Sequence, residues 1–143
     1  MISFKIKIDD KDIYKELKKQ HAKIEVGFFE GEKYPNGKSV AEVAAFNEFG
    51  GGKVPPRPFM RTCVERRKNI WKKLVRDELA KNEDARVTLA LLGNRMVEDL
   101  KDYIKIWTYP PNAPSTIAKK GFNDPLVETG RMMNSVDWRG DWQ

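Results

Sequence analysis

The segment "GGGKVPPRP", residues 50–58, limits the fold more than any other stretch of the chain. Its three prolines lack a backbone N–H, so neither a helix interior nor a central strand can run through it. Val54, Pro55 and Arg57 each precede a proline and are biased toward extended backbone. Regular structure must therefore stop before residue 50 and restart after it. Gly50 suits the position just past a helix, and Gly51 and Gly52 add freedom. Pro58 suits the first turn of a following helix, where its missing N–H costs nothing. The segment reads as a flexible turn followed by a stiff arm. As a bland crossover it would only connect two helices; as a docking element it would offer its carbonyls, Arg57 and Phe59 to another molecule.

The flanking patterns supply the elements. Phe4, Ile6 and Ile8 alternate with Lys5 and Lys7, the period of a half-buried strand. Asp9 or Asp10 can cap a short helix bearing Ile13 and Leu17. "KIEVGFF" is a second strand with Ile24, Val26 and Phe28 on one face, and "EKYPNGK" is a turn-rich loop. Ser39 and Glu42 have the spacing of a capping box, which starts a helix at Val40. That helix is apolar on nearly every side, which predicts burial all round. A second helix is expected from Pro58 to about Lys81, with Met60, Val64, Trp71, Leu74 and Val75 as its apolar stripe. After a break at "AKNED", Ala85, Leu89, Leu92, Met96, Leu100 and Tyr103 recur every three or four residues. The two long helices are expected as a hairpin or as one bent helix. The stretch Trp107 to Pro125, with four prolines and one glycine, reads as a long loop. A short helix interrupted near Gly130 and a last strand carrying Val136 and Trp138 complete the chain. There is no internal repeat and no linker, so residues 1–143 are expected to form a single domain.

Charge and chemistry narrow the function. No run approaches the about 18 apolar residues of a membrane span, and "MISFKIKIDDKD" lacks the apolar stretch of a signal peptide. The simplest expectation is an intracellular product. Between Arg57 and Lys81 nine basic residues face three acids, so this window alone carries the net charge of +6. Arg66, Arg67, Lys68, Lys72, Lys73 and Arg76 form a candidate surface for DNA or an acidic partner, because clustered cations displace counterions from phosphates; the bland alternative is a solvated helix face. His21 is the only histidine and sits among lysines, giving histidine catalysis little support. Cys63, the only cysteine, has no identifiable base beside it and reads as a small buried hydrophobe. The carboxylates are scattered, no metal-ligand spacing appears, and the glycine run precedes prolines instead of a phosphate-loop lysine. No catalytic residue, metal or cofactor is therefore expected.

Three blocks of the chain resemble a known family. "VGFFEGEKYPNGKSVAEVAAFNEFG" carries A-x-x-A-x-x-N-E-[FY]-G. "KVPPRPFMR" follows it, matching a proline-rich I-P-P-R-P-F at Pro55, Pro56, Arg57, Pro58 and Phe59. "PLVETGRMMNSV", residues 125–136, with "PPNAPSTIAKKG" before it, agrees with P-L-[IV]-x-T-G-x-[ML]-x-x-S-[IV]. In order and spacing these blocks resemble small virion-morphogenesis proteins of tailed bacteriophages, over roughly residues 24–136; the run of three glycines departs from the single glycine usual there. The resemblance implies an α+β fold in which a small, mostly antiparallel sheet packs with helices, in agreement with the strands, the two long helices and the shorter ones read from the pattern. It implies a non-enzymatic neck or tail-completion role in head–tail joining, with self-assembly into a ring and contacts to other connector or tail proteins. Contact with packaged DNA is a further candidate, and the expected location is the host cytoplasm during assembly, then the virion. Phe49, Gly50, Pro55, Pro56, Arg57, Pro58 and Phe59, with Pro110 and Pro111 of the later loop, are the expected interaction residues. Substituting Arg57 and Phe59 is expected to weaken assembly and leave the monomer folded. The alternatives are a stand-alone basic nucleic-acid-binding module and, less supported, an enzyme acting on phage or host.

Overall fold

The computed structural model describes residues 2–5, 15, 18–19, 22–82, 84–108 and 130–142. The fold is α+β. Strands β1 (Ile2–Lys5), β2 (Ala22–Phe28) and β3 (Val136–Trp142) form an antiparallel sheet in the order β1-β2-β3. The described elements also include helices α1 (Val40–Phe49), α2 (Phe59–Asn82), α3 (Ala85–Ile106) and the short α4 (Arg131–Asn134). Of the N-terminal alternation, Phe4 lies in β1 opposite Val26, while Ile6 and Ile8 fall outside the described residues. Most of the expected Ile13–Leu17 helix lies outside them too, as do residues 109–129.

β2 is the middle strand, and its alternation decides which side of the sheet is covered. Ile24, Val26 and Phe28 are all buried, as periodicity predicted. α3 lies across β2 and β3, and its expected stripe from Ala85 to Tyr103 is buried throughout. Gly93 marks the closest approach: a Cβ there would stand 2.5 Å from Trp138 Cδ2 and 2.6 Å from Ile24 Cδ1. Asp84 caps α3, accepting from the backbone N–H groups of Arg86 and Val87.

α2 packs on α3 as an antiparallel hairpin, which decides against a single bent helix. Trp71 Nε1 donates to Asp99 Oδ2 across the interface at 2.8 Å, and nearer the far end the Arg67 guanidinium lies over Tyr103. Asp99 is buried, so its second partner, Arg95, helps to hold the carboxylate. α2 starts one residue later than expected, at Phe59, because Pro58 serves as the residue preceding the first turn. Of its expected stripe, Met60, Trp71 and Val75 are buried and Val64 and Leu74 are half-buried.

The expectation that α1 is buried all round is corrected. Val40, Ala41 and Ala44 face the core, whereas Phe46 and Phe49 are 57% and 64% exposed. Glu48, the residue least expected inside, is 2% exposed. A ten-residue helix beside a small sheet has too little neighbouring structure to cover every apolar side chain.

Candidate assembly surface

The Gly/Pro segment joins the end of α1 to the start of α2, and backbone bonds fold it tightly. Gly50 has φ 72°, and its N–H closes on the Phe46 carbonyl at 2.8 Å. A Cβ on Gly50 would meet Pro56 N and Val54 O, each at 2.9 Å, so only glycine fits. Gly51 and Val54 exchange both backbone hydrogen bonds, at 3.0 and 2.8 Å. The three glycines thus make the expected turn, which the Gly51–Val54 pair of bonds closes into a corner. Beyond the corner Arg57 N–H donates to the Asn47 carbonyl at 2.6 Å, returning the arm to the helix it left.

Glu48 completes the latch. The first N–H groups of a helix have no partner within it, and Pro58 has no side-chain acceptor to offer them. The Glu48 carboxylate substitutes from another helix: Oε2 accepts from Met60 N at 2.8 Å and Oε1 from Arg61 N at 3.0 Å. Arg61 Nε also donates to Oε1 at 2.8 Å, and its Nη2 to the Glu48 carbonyl at 2.8 Å. A negative charge at the positive end of α2 is favoured on both counts. Asn47, the neighbouring motif residue, turns its amide back to the Val43 carbonyl.

The arm residues divide between inside and outside. Phe59 is fully buried and meets Phe28 edge to face, with ring centroids 6.1 Å apart. Arg57 is 6% exposed, and burial lowers the pKa of its guanidinium from the ordinary value. The expectation that Arg57 and Phe59 are free for docking, so that changing both would spare the fold, is therefore corrected: Phe59 belongs to the core. Pro55 and Pro58 are half-buried, Pro56 is exposed, and Pro110 and Pro111 lie outside the described residues. What the corner presents outward is Phe46, Phe49, Val54 and Pro56. Both aromatic rings are held: Phe49 under the Arg61 guanidinium, 5.0 Å from its centroid, and Phe46 against Gly51, where a Cβ would come within 2.8 Å of the ring. Phe46 and Glu48 were missed by sequence reasoning. A helix with no single apolar stripe does not reveal which of its faces is covered.

The basic residues are also sorted. Arg66, Lys73 and Arg76 are exposed, Lys68 and Lys72 are half-exposed, and Arg67 turns inward onto Tyr103. Lys68 pairs with Glu65 and Lys73 with Asp77; the Lys73 hydrogen bond holds the Asp77 carboxyl below its ordinary pKa. Cys63 is buried, and burial, helped by the Asp99 carboxylate, pushes its thiol up to about 12. A thiol so reluctant to ionise is a poor nucleophile. Among the described residues no three His, Cys, Asp or Glu side chains gather to hold a metal ion, and no helix is long and apolar enough to cross a membrane. Comparison with protein families, curated proteins and solved structures yields no match.

Proposed function

We propose that this chain is a non-enzymatic assembly protein of a tailed bacteriophage or prophage, acting at the head–tail connection as one subunit of a ring. The observation that carries the reading is the pair of exposed rings, Phe46 and Phe49, on the corner formed by the two adjoining motif blocks, one against Gly51 and the other against Arg61. The motif residues Asn47, Glu48, Gly50, Arg57 and Phe59 act inward, fixing α1 to α2. Their effect is to hold the aromatic pair rigidly in the open. Aromatic anchors that lose little freedom on docking are what a protein interface uses at its centre.

The test is disruption of the gene in an inducible phage, followed by electron microscopy of the particles. Filled heads separate from finished tails are expected, with joining restored by the supplied protein. A Phe46→Ser/Phe49→Ser variant should fold and fail to restore joining. Intact, infectious particles without the gene would remove the head–tail role.

A further inference from the structure

We infer that the outer face of α2 is a docking surface for the phosphate backbone of duplex DNA, bound without regard to base sequence. At about 100° per residue, Lys68, Lys72, Arg76, Lys73 and Arg66 follow one another around a single arc of roughly 160°. Between Glu65 and Asp77 the only other residues on that arc are Glu65 and Asn69. The arc faces away from α3, because the residues packing inward on this stretch are Arg67, Trp71, Leu74 and Val75. Arg66 and Arg76 stand about 15 Å apart along the axis. Duplex DNA carries one phosphate per about 3.4 Å on each strand, so several phosphates lie within reach of this row.

The residue types select nucleic acid over an acidic protein. The centre of a protein interface is apolar and depleted in lysine. This arc has no apolar side chain and three lysines, while the exposed aromatic pair lies elsewhere, on the α1 corner. Arg66 and Lys72 make no ion pair among the described residues. The Lys68–Glu65 and Lys73–Asp77 pairs lie on the surface, where such pairs are weak and yield to a denser anion. The remaining arginines of the basic window lie off this arc: Arg57 is buried, Arg61 is held by Glu48 at the start of the helix and Arg67 lies over Tyr103. The inference does not depend on the head–tail role, since its readout involves neither head nor tail.

The experiment is fluorescence anisotropy of a labelled short duplex titrated with the full chain across a salt series. Five phosphate contacts should weaken binding about 500-fold between about 50 and about 200 mM salt. An Arg66→Gln/Lys72→Gln/Arg76→Gln variant should flatten the log–log salt slope by about 2.7 and leave the melting temperature unchanged. The control, Arg86→Gln/Lys101→Gln/Lys105→Gln on α3, removes the same charge elsewhere and should retain the wild-type slope. Equal loss in both variants, or none in the α2 variant, would overturn the surface. Poly-glutamate competing with the labelled duplex as well as unlabelled DNA does, charge for charge, would overturn the phosphate assignment in favour of an acidic protein.

Discussion

Glu48 has the least usual position of any ionisable side chain described: an acid taken out of water to satisfy another helix. Its carboxylate receives two backbone N–H groups and one guanidinium N–H, so its removal would strand donors at a partly buried helix end. Glu48→Ala should therefore cost about 2–4 kcal/mol in urea denaturation. Arg61→Met, which leaves the backbone bonds to Glu48 intact and removes a half-exposed guanidinium from a buried carboxylate, should cost less, about 1–2 kcal/mol. If the two losses were equal, the ion pair would be the important contact and capping incidental. Phe59 and Glu48 also show where a sequence stops being readable at this scale. Nothing local separates a proline-arm phenylalanine that docks on a partner from one that docks on Phe28. An acid at the end of an apolar helix looks like a solvated residue until the helix it caps is placed beside it.

At the scale of elements, periodicity sufficed wherever one face of an element is covered and the other is wet. β2, the stripe of α3 and the alternation in β3 all emerged as expected, because burial imposes a period on their residues. The N-cap at Ser39 and the start of α1 at Val40 were equally legible, with Ser39 Oγ accepting from Glu42 N. The hairpin was not, since a break between two helices is equally compatible with a bend; cross-helix partners such as Trp71 and Asp99 decide it. Gly93 was passed over for a related reason, as its role depends on two strands remote in sequence. In an isolated helix Gly→Ala gains about 1 kcal/mol. Here the added methyl would enter space occupied by the Trp138 ring, itself fixed by its Nε1 bond to Asn94, and by Ile24. Gly93→Ala should therefore lower stability by about 1–3 kcal/mol, read as a fall in melting temperature. A rise would mean that α3 has room to move away from the sheet.

At the scale of the whole molecule, α1, α2, α3 and the sheet share one core, and Cys63 lies within it. The thiol is inaccessible, with a pKa of about 12 against an ordinary 9.0, so it should react with a thiol reagent only when the chain opens. A raised thiol pKa means that the folded form holds the proton more tightly. This contribution to stability is complete below about pH 9 and lost as pH rises through about 12. Labelling near pH 8 consequently reports opening and not titration of the native thiol. Cys63 sits one turn into α2, just past the N–H groups held by Glu48, so its reactivity discriminates between two modes of opening. If the latch and core open together, the labelling free energy should match the global unfolding free energy. Glu48→Ala should then speed labelling by the same factor by which it raises the unfolded population, about 30- to 700-fold for the loss predicted above. If α2 frays from its N-terminus alone, wild-type Cys63 should label far faster than global unfolding allows. In that case the corner bearing Phe46 and Phe49 would be a locally mobile element, and the rigidity attributed to the aromatic pair would be lost with it.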